Sequence, residues 1–163
     1  MVEDGKYRDL VIPGKVSIRI LETLYGLSDV DISELLNQVC RRADSDRRVS
    51  GAALVGSHAN GTATLQSDID LVILSDAAAE LLQSTVWPTI FGVVRDSRQE
   101  DYGALTSLRV FYENGLEVEF GITKPSWASV PLDAGTREVI QQGIHILYDP
   151  YNIFVEAINE IVF

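Results

Sequence analysis

The sequence predicts a mixed α/β domain built around one small sheet. Three features point to it. Two short apolar runs, Gly51-Ala52-Ala53-Leu54-Val55 and Leu71-Val72-Ile73-Leu74, flank a turn that begins Gly56-Ser57. A pair of alternating segments, 105–112 and 116–122, meets at Asn114-Gly115, a strong hairpin signal. Apolar residues at helical spacing fill much of the remaining sequence. At 163 residues the chain is expected to form one domain, 1–163, long enough to bury a core.

The elements come in this order. Residues 1–27 form an N-terminal arm with mixed signals. Val16, Ile18 and Ile20 alternate like a strand, Ile20, Leu21, Leu24 and Tyr25 would suit a helix, and Pro13-Gly14 marks a turn. Ser28 or Asp29 can cap a helix running to about Asp44, with Ile32, Leu35, Leu36, Val39 and Cys40 as its apolar stripe. A strand over 52–55 leads into the turn and a short helix, and a second strand covers 70–74. A helix over about 76–84 carries Leu81 and Leu82, and Pro88 interrupts the next stretch. After the hairpin come a helix over 135–143, a strand over 144–148 and a turn at Asp149-Pro150. A last helix bears Ile153, Phe154, Ala157, Ile158 and Ile161. Its apolar tail, reaching Phe163, reads as core packing, with burial in a homodimer as the alternative.

Composition narrows the function. Apolar and charged fractions of 46% and 23% are those of a globular protein, and no apolar run nears the length of a membrane span. The N-terminus has no basic and apolar leader, so the expectation is a cytoplasmic protein with no membrane partner. The single Cys40 excludes an intramolecular disulfide and reads as a core thiol. A net charge of −11, with no basic run beyond Arg41-Arg42 and Arg47-Arg48, argues against nucleic acid as the main partner.

The chemistry concentrates in Gly56-Ser57-His58-Ala59-Asn60-Gly61 and Ser67-Asp68-Ile69-Asp70. Side chains two apart on a strand share a face, so Asp68 and Asp70 present paired carboxylates. Such a pair suits a hard cation such as Mg2+, with Mn2+ as an alternative. The turn brings backbone N–H groups and a helix start beside it, where phosphate is favoured.

Gly-Ser, a Gly four residues after that Ser, then Ser-Asp-Ile-Asp-Leu resembles the signature of the DNA polymerase beta-type nucleotidyltransferase superfamily, most of all its small bacterial members. The motif region, about 50–125, carries the resemblance. His58 and Asn60 stand where Arg is frequent in these proteins. The resemblance implies a small mixed sheet with the active site on one face and helices packed on the other. It also implies a transferase that moves a nucleoside monophosphate from an NTP, ATP included, to an acceptor hydroxyl with release of pyrophosphate.

In this superfamily a third acid comes after the pair, inside an apolar strand. Glu117 and Glu119 both qualify and share a face. Glu119 is chosen because it lies mid-strand between Val118 and Phe120, with Glu117, nearer the hairpin, expected to point to solvent. Catalytic and metal residues are therefore Asp68, Asp70 and Glu119, with Glu119 taking the acceptor's proton. Gly56, Ser57 and Gly61 are assigned to the nucleotide, with Arg109 as the cation on the triphosphate. Arg109 depends on the hairpin. A two-residue turn sets Val110 opposite Glu119 and turns Arg109 away, whereas a three-residue loop with a Gly bulge pairs Arg109 with Glu119. Lys124 is the fallback.

His58 is read either as a phosphate contact or as an exposed turn residue, and His145 as structural. Trp87 and Trp127 are read as core before stacking residues. The expected acceptor is a small molecule rather than nucleic acid. The rival to the enzyme is a catalytically weak binding module of the same fold, antitoxin-like or a complex subunit. The Arg-poor turn favours that rival, and the intact acids favour the enzyme.

Overall fold

The computed structural model describes residues 7–11, 17–21, 27–84 and 86–163. Near the N-terminus, β1 (Tyr7–Val11) pairs antiparallel with β2 (Ser17–Leu21). Ile18 and Ile20 are thus strand residues. The expected turn at Pro13-Gly14 falls outside the described residues, as do Val16, Leu24 and Tyr25.

The main sheet and its helices begin with α1 (Leu27–Ser45), β3 (Val49–Val55), α2 (Ser57–Asn60), β4 (Ile69–Ser75), α3 (Ala78–Gln83) and α4 (Val86–Ile90). β5 (Val94–Asp101), β6 (Thr106–Tyr112) and β7 (Glu117–Thr123) come next, then a 3-10 turn at Pro125–Ala128. α5 (Ala134–Gln142), β8 (Ile144–Tyr148) and α6 (Ile153–Val162) complete the chain. Six strands form one sheet in the order β5-β6-β7-β4-β3-β8, and only β4 and β7 run parallel. The anticipated elements form within a few residues of their expected limits. Pro88 sits in the first turn of α4, where its missing N–H has no intrahelical partner to lose.

β5 was not anticipated. Its sequence, Val-Arg-Asp-Ser-Arg-Gln-Glu-Asp, carries no apolar alternation because it is an exposed edge strand whose ladder pairs with β6.

Helices pack on both faces of the sheet, not on one alone. One face carries Leu54, Ile69, Leu71, Ile73, Val110, Val118 and Phe120, covered by Leu35, Leu36, Val39 and Ala43 of α1 together with Leu81, Trp87 and Phe91. The other carries Ala53, Val55, Val72, Leu74 and Ile146, covered by Leu132, Ile140, Phe154, Ala157 and Ile158. This second cover has a simple cause. Val72 and Leu74 lie on the face of Asp70 further along β4 and need shelter from water, while the acids ahead of them do not. Helix α6 therefore packs into the core, and Val162 and Phe163 at its end are exposed. Asp46 anchors the α1–β3 junction. It accepts hydrogen bonds from Arg48 and from Trp87 Nε1 (3.0 Å), and these hold its carboxyl well below the usual range. No helix among the described residues is long and apolar enough to cross a membrane.

Candidate active site

One row of residues crosses the sheet: Val55 on β3, Asp70 on β4, Glu119 on β7, Arg109 on β6 and Arg98 on β5. Residues directly opposite one another share a face, so an acid, an acid and an arginine stand side by side. Asp68, two residues before Asp70, precedes β4 and reaches the same place. Asp68, Asp70 and Glu119 each offer one carboxylate oxygen, and these lie within 4.8 Å of one another.

The cost of this crowding falls on Asp70. Burial, then the charges of Asp68 and Glu119 and a hydrogen bond with Glu119, push its carboxyl up to about 7 against a smaller opposing pull from Arg109.

Arg109 balances the cluster. Its Nη1 donates to Glu117 Oε1 (2.7 Å) and Asp68 Oδ2 (3.1 Å), its Nη2 donates to Glu119 Oε2 (2.9 Å), and its Nε lies 3.4 Å from Glu100 Oε1. The bond to Glu117 and the charges of Glu119 and Glu100 outweigh burial and raise its pKa. Glu117 therefore does not point freely to solvent as expected. The guanidinium holds it beside the site, outside the three converging carboxylates.

The hairpin explains why Arg109 faces inward. Its loop is Glu113-Asn114-Gly115, with Gly115 in the left-handed region (φ 91°), Tyr112 N donating to Leu116 O and Gly115 N to Tyr112 O. This is the three-residue form, and it sets Arg109 opposite Glu119. A signal for it lies in the sequence. Leu108, Val110 and Tyr112 must share the buried face with Val118, Phe120 and Ile122. Setting Val110 against Glu119 would break that match, because a one-residue slip exchanges the two faces.

Gly56 is required by its backbone and by a neighbouring side chain. Its backbone (φ 72°, ψ −154°) lies in a region open essentially to glycine alone. A Cβ there would also collide with Asp70 Oδ2. Ser57 opens α2, and Gly61 ends it in the left-handed conformation (φ 80°), a turn requirement. His58 Nε2 lies 3.3 Å from Ser67 O, tying α2 to the segment before Asp68. Asn60 Oδ1 accepts from Thr62 N (3.0 Å) and Thr62 Oγ1 (2.6 Å). The two residues that replace the frequent arginines thus serve the turn.

Lys124 is not the fallback cation. It lies five residues beyond Glu119, ~16 Å along an extended strand, in the wall of a cavity of about 460 Å³ lined also by Ala78, Thr106, Ile122 and Trp127. That cavity sits at the other end of β7 from the acids. Trp87 is core, as expected, and Trp127 is partly buried against the second core. His145 is partly buried on β8, with burial pushing its pKa down. Cys40 is half-buried and its thiol is likewise raised by burial. Sequence reasoning missed Glu100 and Tyr102 near the site, since β5 carried no readable pattern.

The nucleotidyltransferase domain family model matches residues 32–141, and the chain belongs to that family, a class of group-transfer enzymes. Among solved structures, an aminoglycoside 6-adenyltransferase from Bacillus subtilis aligns at 13% identity and a TM-score of 0.45, over 59% of this chain and 35% of that one. Cid1 in complex with its short product ApU aligns at 16% identity and 0.39, over 57% and 30%. Cid1 with the UTP analogue UMPNPP aligns at 11% identity and 0.39, over 71% and 38%. The chain thus spans about a third of the length of each. No curated protein matches it.

Proposed function

We propose that this chain transfers a nucleoside monophosphate from an NTP to an acceptor hydroxyl, using Mg2+ or Mn2+ held by Asp68, Asp70 and Glu119. The convergence of these three carboxylates within 4.8 Å carries the reading. Ligands on opposite sides of a Mg2+ ion stand about 4.2 Å apart, given bonds of about 2.1 Å. The donors are all carboxylate oxygens, which suit a hard cation, and a cation would relieve the repulsion that adds to burial in raising the pKa of Asp70. Bound there, the metal would neutralise charge on the transferring phosphoryl group.

The chain's own residues do the rest. The backbone of Gly56 and Ser57, at the start of α2 beside Asp70, faces the terminal phosphates, and Gly61 closes the turn that presents it. Arg109 fixes Asp68 and Glu119 and would supply positive charge beside the triphosphate. Glu119 takes the proton of the acceptor hydroxyl. The new bond joins the acceptor oxygen to the α-phosphorus, and the bond to the pyrophosphate oxygen breaks in line with it. The acid-rich face and the net charge of −11 favour a small neutral or cationic acceptor over nucleic acid.

The rival reading, a binding module without turnover, draws on two observations: His58 and Asn60 serve the turn, and Arg109 is engaged by four carboxylates. Calorimetry of each NTP with Mg2+ on the wild type, Asp68→Asn and Asp70→Asn, with pyrophosphate release measured alongside in the presence of pooled metabolites as acceptors, separates them. The enzyme reading expects binding and release in the wild type and neither in the variants. Binding without release favours the module, and equal binding in all three proteins refutes the metal site.

A further inference from the structure

The connection between β5 and β6 holds an exposed aromatic ring at the edge of the acid cluster. Tyr102 is 59% exposed. Its hydroxyl donates to Glu100 Oε2 (2.5 Å), Glu100 meets Arg109, and Arg109 meets Glu119. The connection itself is pinned at several points. Tyr102 N donates to Leu105 O (3.0 Å), Gly103 N to Asp101 Oδ1 (2.8 Å) and Thr123 Oγ1 to Ala104 O (2.6 Å). Leu105 fills the space that Gly121 leaves on β7, where a Cβ would come 2.9 Å from Leu105 Cδ1. A large ring left in water, yet fixed at its hydroxyl and by its own backbone, loses little freedom when a ligand packs on it.

The side of the site on which it stands identifies the ligand. The Gly56-Ser57 turn flanks Asp70 from β3, whereas Glu119, Arg109 and Glu100 extend from it toward β5. Displacement at the α-phosphorus is in line, so an acceptor enters opposite the departing pyrophosphate. With pyrophosphate at the turn, the acceptor comes from the β5 side. We propose that Tyr102 is a specificity-determining residue of the acceptor site, stacking on the ring of a neutral or cationic ring-bearing alcohol, a sugar or a nucleoside. Glu100, Glu117, Glu119 and Asp68 on the same face disfavour a phosphorylated one. This inference rests on the nucleotidyl-transfer reading above.

The test measures pyrophosphate release from Mg2+ and each NTP by the full chain, with methyl glucoside or adenosine as ring-bearing probes and glycerol as a ringless one. Wild type, Tyr102→Ala and Tyr102→Phe are compared, with folding checked by circular dichroism and Mg2+–NTP affinity by calorimetry. A ring-bearing probe is expected to accelerate release more than glycerol does, and which of the two acts distinguishes sugar from nucleoside. Tyr102→Ala should raise that probe's KM about 3- to 10-fold, the range of an aromatic stacking contact, with the NTP affinity retained. Tyr102→Phe, which keeps the ring but loses the hydroxyl's anchor on Glu100, should fall between wild type and Tyr102→Ala. Glycerol matching the ring-bearing probes, no acceleration by either ring-bearing probe in a protein that binds Mg2+–NTP, or an equal loss of NTP affinity in Tyr102→Ala each overturns the proposal. Failure of the wild type to bind any Mg2+–NTP overturns instead the nucleotidyl-transfer reading beneath it.

Discussion

Replacing Asp70 with Asn tests the electrostatics of the site without any ligand. Asp70 is held at about 7, against an ordinary 3.8, chiefly by burial and by its acidic neighbours. The folded protein therefore keeps a proton that the unfolded chain releases at lower pH. Stability carries no penalty from Asp70 below pH ~4 and declines as pH rises through the interval to ~7, then levels off. A span from 3.8 to about 7 corresponds to about 4 kcal/mol at about 1.36 kcal/mol per pH unit. Solvent screening of a partly exposed carboxylate reduces this to about 2 kcal/mol. Asn cannot ionise, so the difference in unfolding free energy between Asp70→Asn and wild type should grow in favour of Asn by about that amount between pH 4 and pH 8. Urea unfolding of both proteins in chelator, at half-unit pH steps, measures it. A difference that stays flat across the interval, or grows in favour of wild type, refutes the reasoning.

Two more predictions concern the residues around it. Gly56→Val should abolish Mg2+–NTP binding, because its Cβ meets Asp70 Oδ2 and its backbone enters a region costing about 1–3 kcal/mol. Ser57→Ala should weaken binding by no more than about 1–3 kcal/mol, and a folded Ser57→Ala that loses more than Gly56→Val, by calorimetry, would shift the binding to the side chain. Arg109→Met leaves Glu117, Glu119 and Asp68 without their shared cation and should cost about 1–3 kcal/mol of stability in chelator. Arg109→Lys should recover only part of that, since an ammonium cannot repeat the fork, and thermal unfolding at low and high salt decides it.

How much of the fold and site is legible in the sequence depends on whether the deciding interaction is local. The turn at Gly56-Ser57, the Asp pair and both strands of the hairpin come from periodicity and turn chemistry within a few residues of one another, whereas the expectation of a third acid, met by preferring Glu119 to Glu117, comes with the family resemblance. The facing of Arg109 is also encoded locally, in two apolar alternations that must meet on one face, and needs only that both strands be read together. β5 is not legible. An edge strand that neither face buries has no apolar pattern to show, and its partner β6 supplies the ladder that makes it a strand. Glu100 and Tyr102 come into view only with it.

The sequence by itself determined that Asp68 and Asp70 share a face and that Glu119 lies mid-strand in an apolar run, because residue type, spacing and strand period are properties of the chain. The tertiary structure alone decided that β4 and β7 lie side by side in parallel, which brings Glu119 level with Asp70. It also decided that Gly56 yields its space to Asp70 and that helices shelter Val72 and Leu74 on the site's own face. Each of these is a contact between segments remote in sequence, chosen by the burial of the whole apolar surface and not by any local preference.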